Sequence, residues 1–509
     1  MKQLANEVMR WILEQRYRNI EYCMRHPHRV QETLLSQFIQ SAHRTEWGKM
    51  HDFRSIRTPQ QFAERIPLQD YESLKPYIHR MMLGEPDVLW HGMVDMFAKS
   101  SGTTNDKSKF IPVSRVNLTE CHHKGAWDTM SVIYRNRPDS RHFLGKSLLM
   151  GGSAAAYEPH PATTTGDVSA LMIGKMPFYF RPFFTPDFET ALLKDWDVKI
   201  ERMARIISHE PNLVMIGGVP TWTVVLLRRV LEMTGKSDLK EVWPDLQVYV
   251  HGGVSFLPYR EQFKQLIQDP DFQYVEIYNA TEGYFAVQDD PKTQDMLLLL
   301  NNGIYYELLP MTEWGREDGK TIPLAAAQTG VNYALVISTN SGLWRYLPGD
   351  TIQFTSVDPY KIRITGRTKQ YINAFGEEVM VDNTDRALAE TCRQTRSAVR
   401  EYTVAPVYFG SQAKGGHEWL VEFDQPPDDL EQFAEILDRN LQNLNSDYEA
   451  KRFKGMALER LKLSQLPQGT FYRWLRSKGK YGGQHKVPRL SNDRKYVDEV
   501  LRFVNQSVF

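Results

Sequence analysis

A hydroxyl-rich stretch at residues 100–104 is the first part of the sequence whose residue types suggest chemistry. It reads S-S-G-T-T and is followed by Lys107 and Lys109. Apolar residues flank it at 94–97 and 110–113, which predicts a loop between two strands. In such loops backbone N–H groups and hydroxyls can surround phosphate oxygens while a lysine supplies positive charge. The spacing is not that of a Walker loop, so an ordinary turn is the alternative interpretation.

Three further strand-like stretches end in loops of small or polar residues. Residues 248–250 run into His251-Gly252-Gly253, residues 274–277 run into Y-N-A-T-E-G at 278–283, and residues 335–337 lead toward Y-L-P-G-D at 346–350. Helices alternate with these strands, which indicates α/β layers. In open α/β sheets ligands bind at the carboxyl ends of strands, so these loops are expected to contribute to one site.

The three motifs S-S-G-T-T, Y-N-A-T-E-G and Y-L-P-G-D, in this order, resemble those of the Gretchen Hagen auxin-responsive acyl-acid amido synthetases. That family belongs to the larger adenylating superfamily of firefly luciferase and the acyl-CoA synthetases. Ile66-Pro67-Leu68, the stretch 216–222 and the tail 483–489 also match, so the resemblance spans nearly the whole chain. The first loop differs from the family at Asn105 and Asp106, where glycine is usual.

The resemblance implies a ligase that uses ATP and Mg²⁺ to convert a carboxylic acid into an acyl-adenylate and then joins the acyl group to an amino acid. The carboxylate must meet a phosphate, so negative charge has to be neutralised and the reactants held in line. The residues implied to bind phosphate are Ser100, Ser101, Thr103 and Thr104, with Lys109 as a further candidate. A solvated lysine at a strand edge is the alternative for Lys109.

The Y-N-A-T-E-G motif is implied to supply most of the remaining nucleotide contacts. Tyr278 would lie against adenine, Asn279 belongs to the same nucleotide-binding group, and Thr281 would touch the α-phosphate. Glu282 would hold Mg²⁺, which prefers carboxylate, phosphate and water oxygens. The alternative for Glu282 is an exposed loop carboxylate.

Five other residues complete the implied site. Asp350 would accept hydrogen bonds from the ribose hydroxyls, and Gly252 and Gly253 would let the backbone approach a ligand closely. All three could instead be plain turn residues. Arg367 would reach the ribose or phosphate, and Lys486 is the candidate for a mobile lysine brought to the acyl-phosphate oxygens. The alternative for Lys486 is a basic surface tail.

A chain of 509 residues exceeds a single compact core, so two domains are expected. Residues 1–365 are predicted to form a large, layered α/β domain of the adenylating-enzyme type. Residues 366–509 are predicted to form a smaller, mobile α+β domain, because helical patterns at 382–397 and 428–444 accompany strand patterns at 404–409 and 419–423. Rotation about residues 366–369 would exchange the adenylation site for the transfer site.

Two local patterns add structural expectations. Leu4, Val8, Trp11 and Ile12 recur at helical spacing, which predicts that an N-terminal helix packs through this stripe. The aromatic stretch 177–184 could line an apolar pocket or belong to the core. Together with parts of 115–135 it is the candidate wall of the acid pocket.

Composition narrows the class of protein. Lys plus Arg and Asp plus Glu number 62 each, so no charge excess favours nucleic acid or an anionic membrane as a partner. The three cysteines, far apart in sequence, fit a reducing compartment. The first residues do not resemble a signal peptide, and no run of eighteen apolar residues exists. We therefore expect a soluble, cytoplasmic protein that acts on a small carboxylic acid and an amino acid.

Two other functions remain open at this point. An acyl-CoA synthetase or another adenylate-forming ligase would use the same first step with a different acceptor. A catalytically silent binding protein on the same scaffold is the other possibility, motivated by Asn105 and Asp106. Glu282, Asp350 and Lys486 argue against it, because binding alone does not require all three.

Overall fold

The fold is described from a computed structural model for residues 2–100, 109–254, 256, 259–316, 319–368, 371–372, 374, 377, 379–408, 415–452, 458–479 and 486–506. Several residues singled out above lie outside these ranges, namely Ser101, Thr103, Thr104, Asn105, Asp106, Lys107, Lys369 and residues 483–485. None of the described helices is both long enough and apolar enough to cross a bilayer.

Eighteen α-helical segments occur in the described chain. They are α1 (Lys2–Arg25), α2 (Pro27–Ala42), α3 (Glu46–Met50), α4 (Pro59–Arg65), α5 (Tyr71–Met82), α6 (Arg115–Asn117), α7 (Lys124–Asn136), α8 (Val168–Gly174), α9 (Phe188–Ala191), α10 (Trp196–Ser208), α11 (Pro220–Thr234), α12 (Leu239–Val242), α13 (Arg260–Leu266), α14 (Val381–Thr395), α15 (Leu430–Leu444), α16 (Ser446–Arg452), α17 (Thr470–Ser477) and α18 (Lys495–Gln506). A π-helical turn at Leu118–His123 joins α6 to α7.

The described chain contains 21 strands. They are β1 (Met96–Ser100), β2 (Lys109–Pro112), β3 (Lys146–Leu149), β4 (Ala154–Tyr157), β5 (His160–Gly166), β6 (Phe184–Thr185), β7 (Leu213–Gly218), β8 (Val248–Gly252), β9 (Gln273–Ala280), β10 (Gly283–Val287), β11 (Met296–Leu298), β12 (Ile304–Pro310), β13 (Ile322–Pro323), β14 (Asn332–Thr339), β15 (Asp350–Val357), β16 (Tyr360–Arg367), β17 (Tyr371–Ile372), β18 (Val379–Met380), β19 (Ala398–Tyr408), β20 (Gly415–Gln425) and β21 (Lys462–Leu466).

Twelve of these strands form one mixed sheet in the order β13-β12-β14-β15-β16-β11-β10-β9-β8-β7-β3-β6. From β9 to β6 neighbouring strands are parallel, and from β13 to β9 they are antiparallel. The parallel half is the part that the alternation of strands and helices predicted. In a second sheet, β2-β1-β5-β4, the strands β1 and β2 are antiparallel, and Ser100, the first residue of the S-S-G-T-T stretch, ends β1.

The two largest hydrophobic cores of the described chain lie within residues 1–365. One packs α2 and α5 against the antiparallel half of the sheet and includes Leu35, Ile78 and Tyr306. The other packs α10, α11 and α13 against the parallel half and includes Leu227, Tyr249 and Phe263. Helices that cover a parallel sheet are the expected consequence of strand–helix–strand crossovers.

The small C-terminal unit has its own core on both faces of the sheet β19-β20-β21. Trp419 and Val421 of β20 pack with α14 and α15 on one face. Leu420, between them in sequence, packs with α17 and α18 on the other face, as the two-residue period of a strand requires. The first residue of this core is Ile372, and a division into two domains near residue 365 stays a prediction.

The N-terminal helix forms, but the predicted stripe does not pack. Trp11 is 62% exposed and Leu4 is 70% exposed, whereas Leu13 is fully buried. The buried edge faces α7, where Ser131 donates a hydrogen bond to the Leu13 carbonyl at 2.5 Å. Successive residues of a helix are rotated by about 100° around its axis. The periodic pattern therefore predicted the helix correctly, but it placed the contact with α7 on the wrong edge.

Candidate active site

A single large cavity of about 1480 Å³ lies at the carboxyl ends of the parallel strands and extends to the C-terminal unit. Ten of the residues singled out from the sequence line it. They are Ser100, Gly252, Gly253, Tyr278, Asn279, Thr281, Glu282, Asp350, Arg367 and Lys486. The structure therefore brings together residues that come from six separate stretches of the chain.

Asp350 is the centre of the polar contacts in the cavity. The Tyr278 hydroxyl donates to one carboxylate oxygen at 2.6 Å, and Nε of Arg367 donates to the other at 2.9 Å. Asp350 begins β15 and Arg367 ends β16, where the two residues are direct cross-strand partners. The charge of Asp350 is the largest influence on the Arg367 guanidinium and raises its pKa. The carboxylate is therefore held in a fixed orientation by two donors.

The Y-L-P-G-D loop is anchored by a buried ion pair. Arg345, at φ 43°, pairs with Glu307 at 3.0 Å, and both side chains are buried. The backbone N–H of Gln69 donates to the Arg345 carbonyl at 2.9 Å, and that of Leu347 donates to the Gln69 carbonyl at 2.9 Å. The loop is thus fastened to the segment after Ile66-Pro67-Leu68, which explains why these two distant motifs occur together.

The ring of Tyr278 is covered on one side by protein. It stacks on Phe285 with centroids 4.4 Å apart and an interplanar angle of 23°. The residue is 4% exposed, so little of its ring is left open to a ligand. A contact between Tyr278 and adenine stays a prediction, whereas its hydrogen bond to Asp350 is an additional role that the sequence did not indicate.

Thr281 and Glu282 form the two-residue connection between β9 and β10, since Ala280 and Gly283 are paired. The Thr281 hydroxyl donates to the Glu282 carboxylate at 2.6 Å. Burial raises the pKa of Glu282, the Thr281 hydrogen bond opposes the rise, and the charge of Asp350 adds to it. A buried carboxylate of this kind is stabilised by a cation.

The donor set around Glu282 fits Mg²⁺ in one specific way. In the described chain no three His, Cys, Asp or Glu side chains converge on a point where they could hold a metal. Mg²⁺ usually takes one or two carboxylates and completes its octahedron with phosphate oxygens and water. The single carboxylate of Glu282 suits that arrangement.

Lys486 reaches the cavity from the C-terminal unit. Its Nζ donates a hydrogen bond to the carbonyl of Gly253. Lys486 is an exposed residue that lines the cavity, and desolvation of Nζ among protein atoms lowers its pKa to about 8, with Arg367 contributing in the same direction. The pKa shift and the contact argue against the surface-tail interpretation.

The segment that carries Lys486 is fixed to β19 of the small unit. The Arg489 carbonyl accepts from the Val404 N–H at 2.8 Å, and the Pro488 carbonyl accepts from the Thr403 hydroxyl at 2.6 Å. Arg489 also pairs with Glu401 at 2.9 Å. The backbone next to Lys486 is therefore held by the small unit, and a movement of the lysine with that unit stays a prediction.

Lys109 is the first residue of β2 and does not line the cavity. It begins β2 directly opposite Ser100, and its Nζ lies 5.7 Å from the centre of the Tyr71 ring. Both interpretations of Lys109 described above stay open, and a phosphate contact remains a prediction.

Gly252 and Gly253, at the end of β8, are each required to be glycine for a different structural reason. A Cβ on Gly252 would lie 2.4 Å from the carbonyl oxygen of Ile277 on the neighbouring strand. Gly253 has φ 81°, in the left-handed region that favours glycine. These constraints show that both glycines are required by the backbone itself, whether or not a nucleotide also approaches it.

Replacing Gly252 with alanine should destabilise the protein by about 1–3 kcal/mol, because the added methyl group overlaps a backbone atom that cannot move freely. Urea unfolding of wild type and variant measures the difference. Gly174→Ala is the matched control, since a Cβ there meets nothing within 4 Å. Equal stability of the Gly252→Ala protein and the wild type would contradict the overlap.

The aromatic stretch lines the cavity and is not part of the core. Residues Phe178–Phe183 form a 3-10 helix in which no residue is buried, and Phe180, Phe183 and Phe184 face the cavity. Trp127 of α7 lies 5.0 Å from Phe180 between ring centroids. This end of the cavity is apolar and aromatic, as the pocket interpretation predicted.

Sequence reasoning assigned no role to two cavity residues, Arg260 and Glu276. A signal was present for Glu276, because a charged residue in the strand Y-V-E-I-Y is unusual among apolar neighbours. His122 and His251, also left without a role, are buried, and burial lowers their pKa values to about 4 and about 3. Neutral, enclosed imidazoles fit a structural part.

Comparison with known proteins identifies the family. The models of the GH3 family N-terminal, central and C-terminal domains match residues 16–201 and 162–272, 297–367, and 382–495. The indole-3-acetic acid-amido synthetase GH3.3 of Arabidopsis thaliana is 27% identical over 94% of this chain and 90% of that protein.

Solved structures confirm the expected architecture. The GH3.15 acyl acid amido synthetase superposes with a TM-score of 0.75 at 15% identity, over 94% of this chain and 93% of that one. A 2-hydroxyisobutyryl-CoA ligase in the postadenylation state superposes with a TM-score of 0.60 at 14% identity, over 94% and 91%. The fold is that of the adenylating enzymes, and the family models together cover most of the sequence. The chain belongs to the GH3 family.

Proposed function

We propose that this protein is an ATP-dependent ligase that activates a carboxylic acid as an acyl-adenylate and transfers the acyl group to an amino acid, forming an amide. The observation that carries the proposal is the meeting of Glu282, Asp350 and Lys486 in one cavity that also has an aromatic, apolar end. Membership in a family whose named members are amido synthetases supports the amide product.

The first half-reaction joins two anions. A carboxylate oxygen attacks the α-phosphorus of ATP, the bond to the bridging oxygen breaks, and pyrophosphate leaves with that electron pair. Lys486 and Arg367 supply fixed positive charge near the reacting phosphate, and Ser100 and Thr281 supply hydroxyl donors. Mg²⁺ held by Glu282 would neutralise phosphate charge. Preorganised charge of this kind stabilises the transition state without reorganisation during the reaction.

Asp350 is suited to orient the ribose. Each of its oxygens accepts one bond from the protein, and each carboxylate oxygen has a second lone-pair site. The two ribose hydroxyls can therefore donate to a carboxylate that is already held in place. Tyr278 and Asn279 would then border the adenine, and the backbone at Gly252 and Gly253 would approach it.

The second half-reaction is attack of an amine on the activated carbonyl carbon, with departure of AMP. The enzyme has to orient the amine and exclude water, because water would hydrolyse the adenylate. The aromatic wall around Trp127 and Phe180 serves the second requirement. Rotation of the small unit about residues 366–369 would withdraw Lys486 between the two steps.

The charge state of Lys486 predicts the pH dependence of adenylation. Its ammonium is charged below the pKa of about 8 and becomes neutral as the pH rises through that value. The kcat/KM for ATP should therefore fall above pH 8, because this parameter reports groups of the free enzyme. In Lys486→Arg the kcat/KM for ATP should stay constant between pH 8 and pH 10, because the guanidinium group remains charged there. An identical decrease of kcat/KM above pH 8 in both proteins would contradict the assignment of this pH dependence to Lys486.

The proposed function is tested with purified protein, ATP and Mg²⁺. Acid-dependent exchange of pyrophosphate into ATP is measured over a panel of indole, benzoate and branched aliphatic acids. For the best acid, each amino acid and coenzyme A is then added, and the product is identified by mass. Formation of an amide supports the proposal, whereas a thioester with coenzyme A would make the protein an acyl-CoA synthetase. ATP binding without pyrophosphate exchange for any acid would indicate a catalytically silent binding protein.

A further inference from the structure

Charged side chains line the part of the cavity between the nucleotide motifs and the small unit, and nearly all are already paired. Asp350 accepts from Tyr278, and Glu422 accepts from the backbone N–H of Gly469 at 2.6 Å. The other carboxylates that line the described cavity also have a hydrogen-bond or ion-pair partner, with the exception of Glu276.

The same pattern holds for the cations. Among the described lysines and arginines that line the cavity, each has a carboxylate, amide or carbonyl partner except Arg260. Nε of Arg260 is buried without a hydrogen-bond partner, and the guanidinium carbon lies 6.0 Å from the Phe256 ring centre. One carboxylate and one guanidinium of the described lining thus stand unpaired.

These two groups are close enough to interact but do not form an ion pair with each other. Glu276 lies on β9 beside His251 of β8, and Arg260 begins α13 on the same side of the cavity. Burial raises the pKa of Glu276 to about 7, the charge of Arg260 opposes the rise, and Asp382 of α14 adds to it. A desolvated charge without a partner is costly, and a ligand with both charges would satisfy the two side chains at once.

We propose that Glu276 and Arg260 form the binding site for the acceptor amino acid, with Glu276 holding the α-ammonium and Arg260 the α-carboxylate. The proposal rests on the proposed function, because it assigns the acceptor of that reaction. Glu276 is two residues before Tyr278 on the same strand, about 7 Å along it. An acceptor bound there lies next to the nucleotide motif, where the adenylate forms.

Glu276 also takes part in the proton balance. The bound ammonium gives one proton to the Glu276 carboxylate, which frees the nitrogen lone pair to attack the carbonyl carbon. The bond between that carbon and the phosphate oxygen breaks, and AMP leaves with its electron pair. The second proton leaves nitrogen for water as the amide forms. A base whose pKa is near the working pH is suited to this transfer.

The test compares Glu276→Gln and Arg260→Gln with two matched controls. Glu201→Gln and Arg400→Gln remove charges of the same cavity that are already paired, with Arg229 at 2.9 Å and with Asp424 at 2.5 Å. Using the best acid of the panel, we expect the KM for the acceptor amino acid to rise about 10- to 100-fold in the two test variants, the value of a charged hydrogen bond. In the two test variants, the rate of acid-dependent pyrophosphate exchange should stay within about twofold of wild type. In the two control variants, both the exchange rate and the acceptor KM should stay within that range.

Two other acceptors separate binding from a general structural effect. Hydroxylamine has no carboxylate and is uncharged at neutral pH, so hydroxamate formation should be equal in wild type and both test variants. Wild type should prefer an amino acid over its carboxamide, and Arg260→Gln should lose that preference, with partial rescue in Arg260→Lys. An unchanged acceptor KM, an equal rise in the controls, or loss of exchange in the test variants would overturn the assignment. Absence of exchange in the wild type would instead contradict the proposed function.

Discussion

Replacing Lys486 with alanine should lower the rate of acid-dependent pyrophosphate exchange by a factor of about 100 to 1000, the usual consequence of removing one preorganised group from a developing anion. The reason is positional, because Nζ of Lys486 already donates to the Gly253 carbonyl at the end of β8. The Arg489–Glu401 ion pair holds the segment from which the lysine projects. Exchange is measured under saturating acid and ATP, so that the loss reports the chemical step.

The same variant should keep the transfer reaction. When a chemically prepared acyl-adenylate is supplied with the amino acid, amide formation by Lys486→Ala should remain close to wild type. Lys478→Ala is the matched control, since this nearby lysine pairs with Glu499 at 2.6 Å on the surface of the small unit. Unaltered exchange in Lys486→Ala would remove the residue from the mechanism. Equal losses in both half-reactions would show that it acts on folding or on both steps.

The second large effect is expected for Glu282→Gln, which should reduce exchange by about 100-fold while changing the affinity for ATP much less. The amide keeps the size of the side chain and its capacity to accept from Thr281, which now donates at 2.6 Å. It loses the negative charge that Mg²⁺ prefers. Calorimetry measures nucleotide affinity, and exchange measures adenylation.

Magnesium dependence distinguishes this role from a structural one. The Mg²⁺ concentration that gives half-maximal exchange should rise in Glu282→Gln, and excess Mg²⁺ should restore part of the rate. Glu313→Gln is the control, because this partly exposed carboxylate lies outside the cavity and pairs with Arg316 at 2.8 Å. An unchanged exchange rate in Glu282→Gln would contradict the assignment of Glu282 as a Mg²⁺ ligand. A lower exchange rate that does not depend on the Mg²⁺ concentration would contradict it as well.

Short-range patterns in the sequence were sufficient for the fold class and for most candidate residues. Strands that end in Gly-, Thr- and Asp-containing loops predicted which backbone segments meet at one sheet edge. Ten of the predicted residues do line one cavity. This worked because turn chemistry and strand ends are local properties, and because the parallel neighbours β8 and β9 must have their carboxyl ends at one edge. Asp350 and Arg367 reach the cavity from antiparallel strands, which that rule does not cover.

Local patterns failed where a neighbouring element decides the outcome. The stripe through Trp11 on α1 is exposed because α7 covers the edge through Leu13. The ring of Tyr278 is occupied by Phe285, and periodicity could not predict that contact, since it depends on a bulge in the pairing of β9 with β10. The sequence of the aromatic stretch 177–184 favoured core over pocket, and only its surroundings in the fold place Phe180, Phe183 and Phe184 at the cavity.

The sequence by itself determined the layered α/β order and the residue types able to handle a nucleotide, because these follow from local periodicity and turn chemistry. The separate C-terminal unit stays a prediction from the same patterns. Only the tertiary structure decided that Asp350 is clamped by Tyr278 and Arg367, and that Lys486 reaches Gly253 from the other unit. It also decided that Glu276 and Arg260 stand unpaired among the described charges of the cavity. Pairing between side chains depends on distances across the fold, and those distances arise only when all the layers have packed.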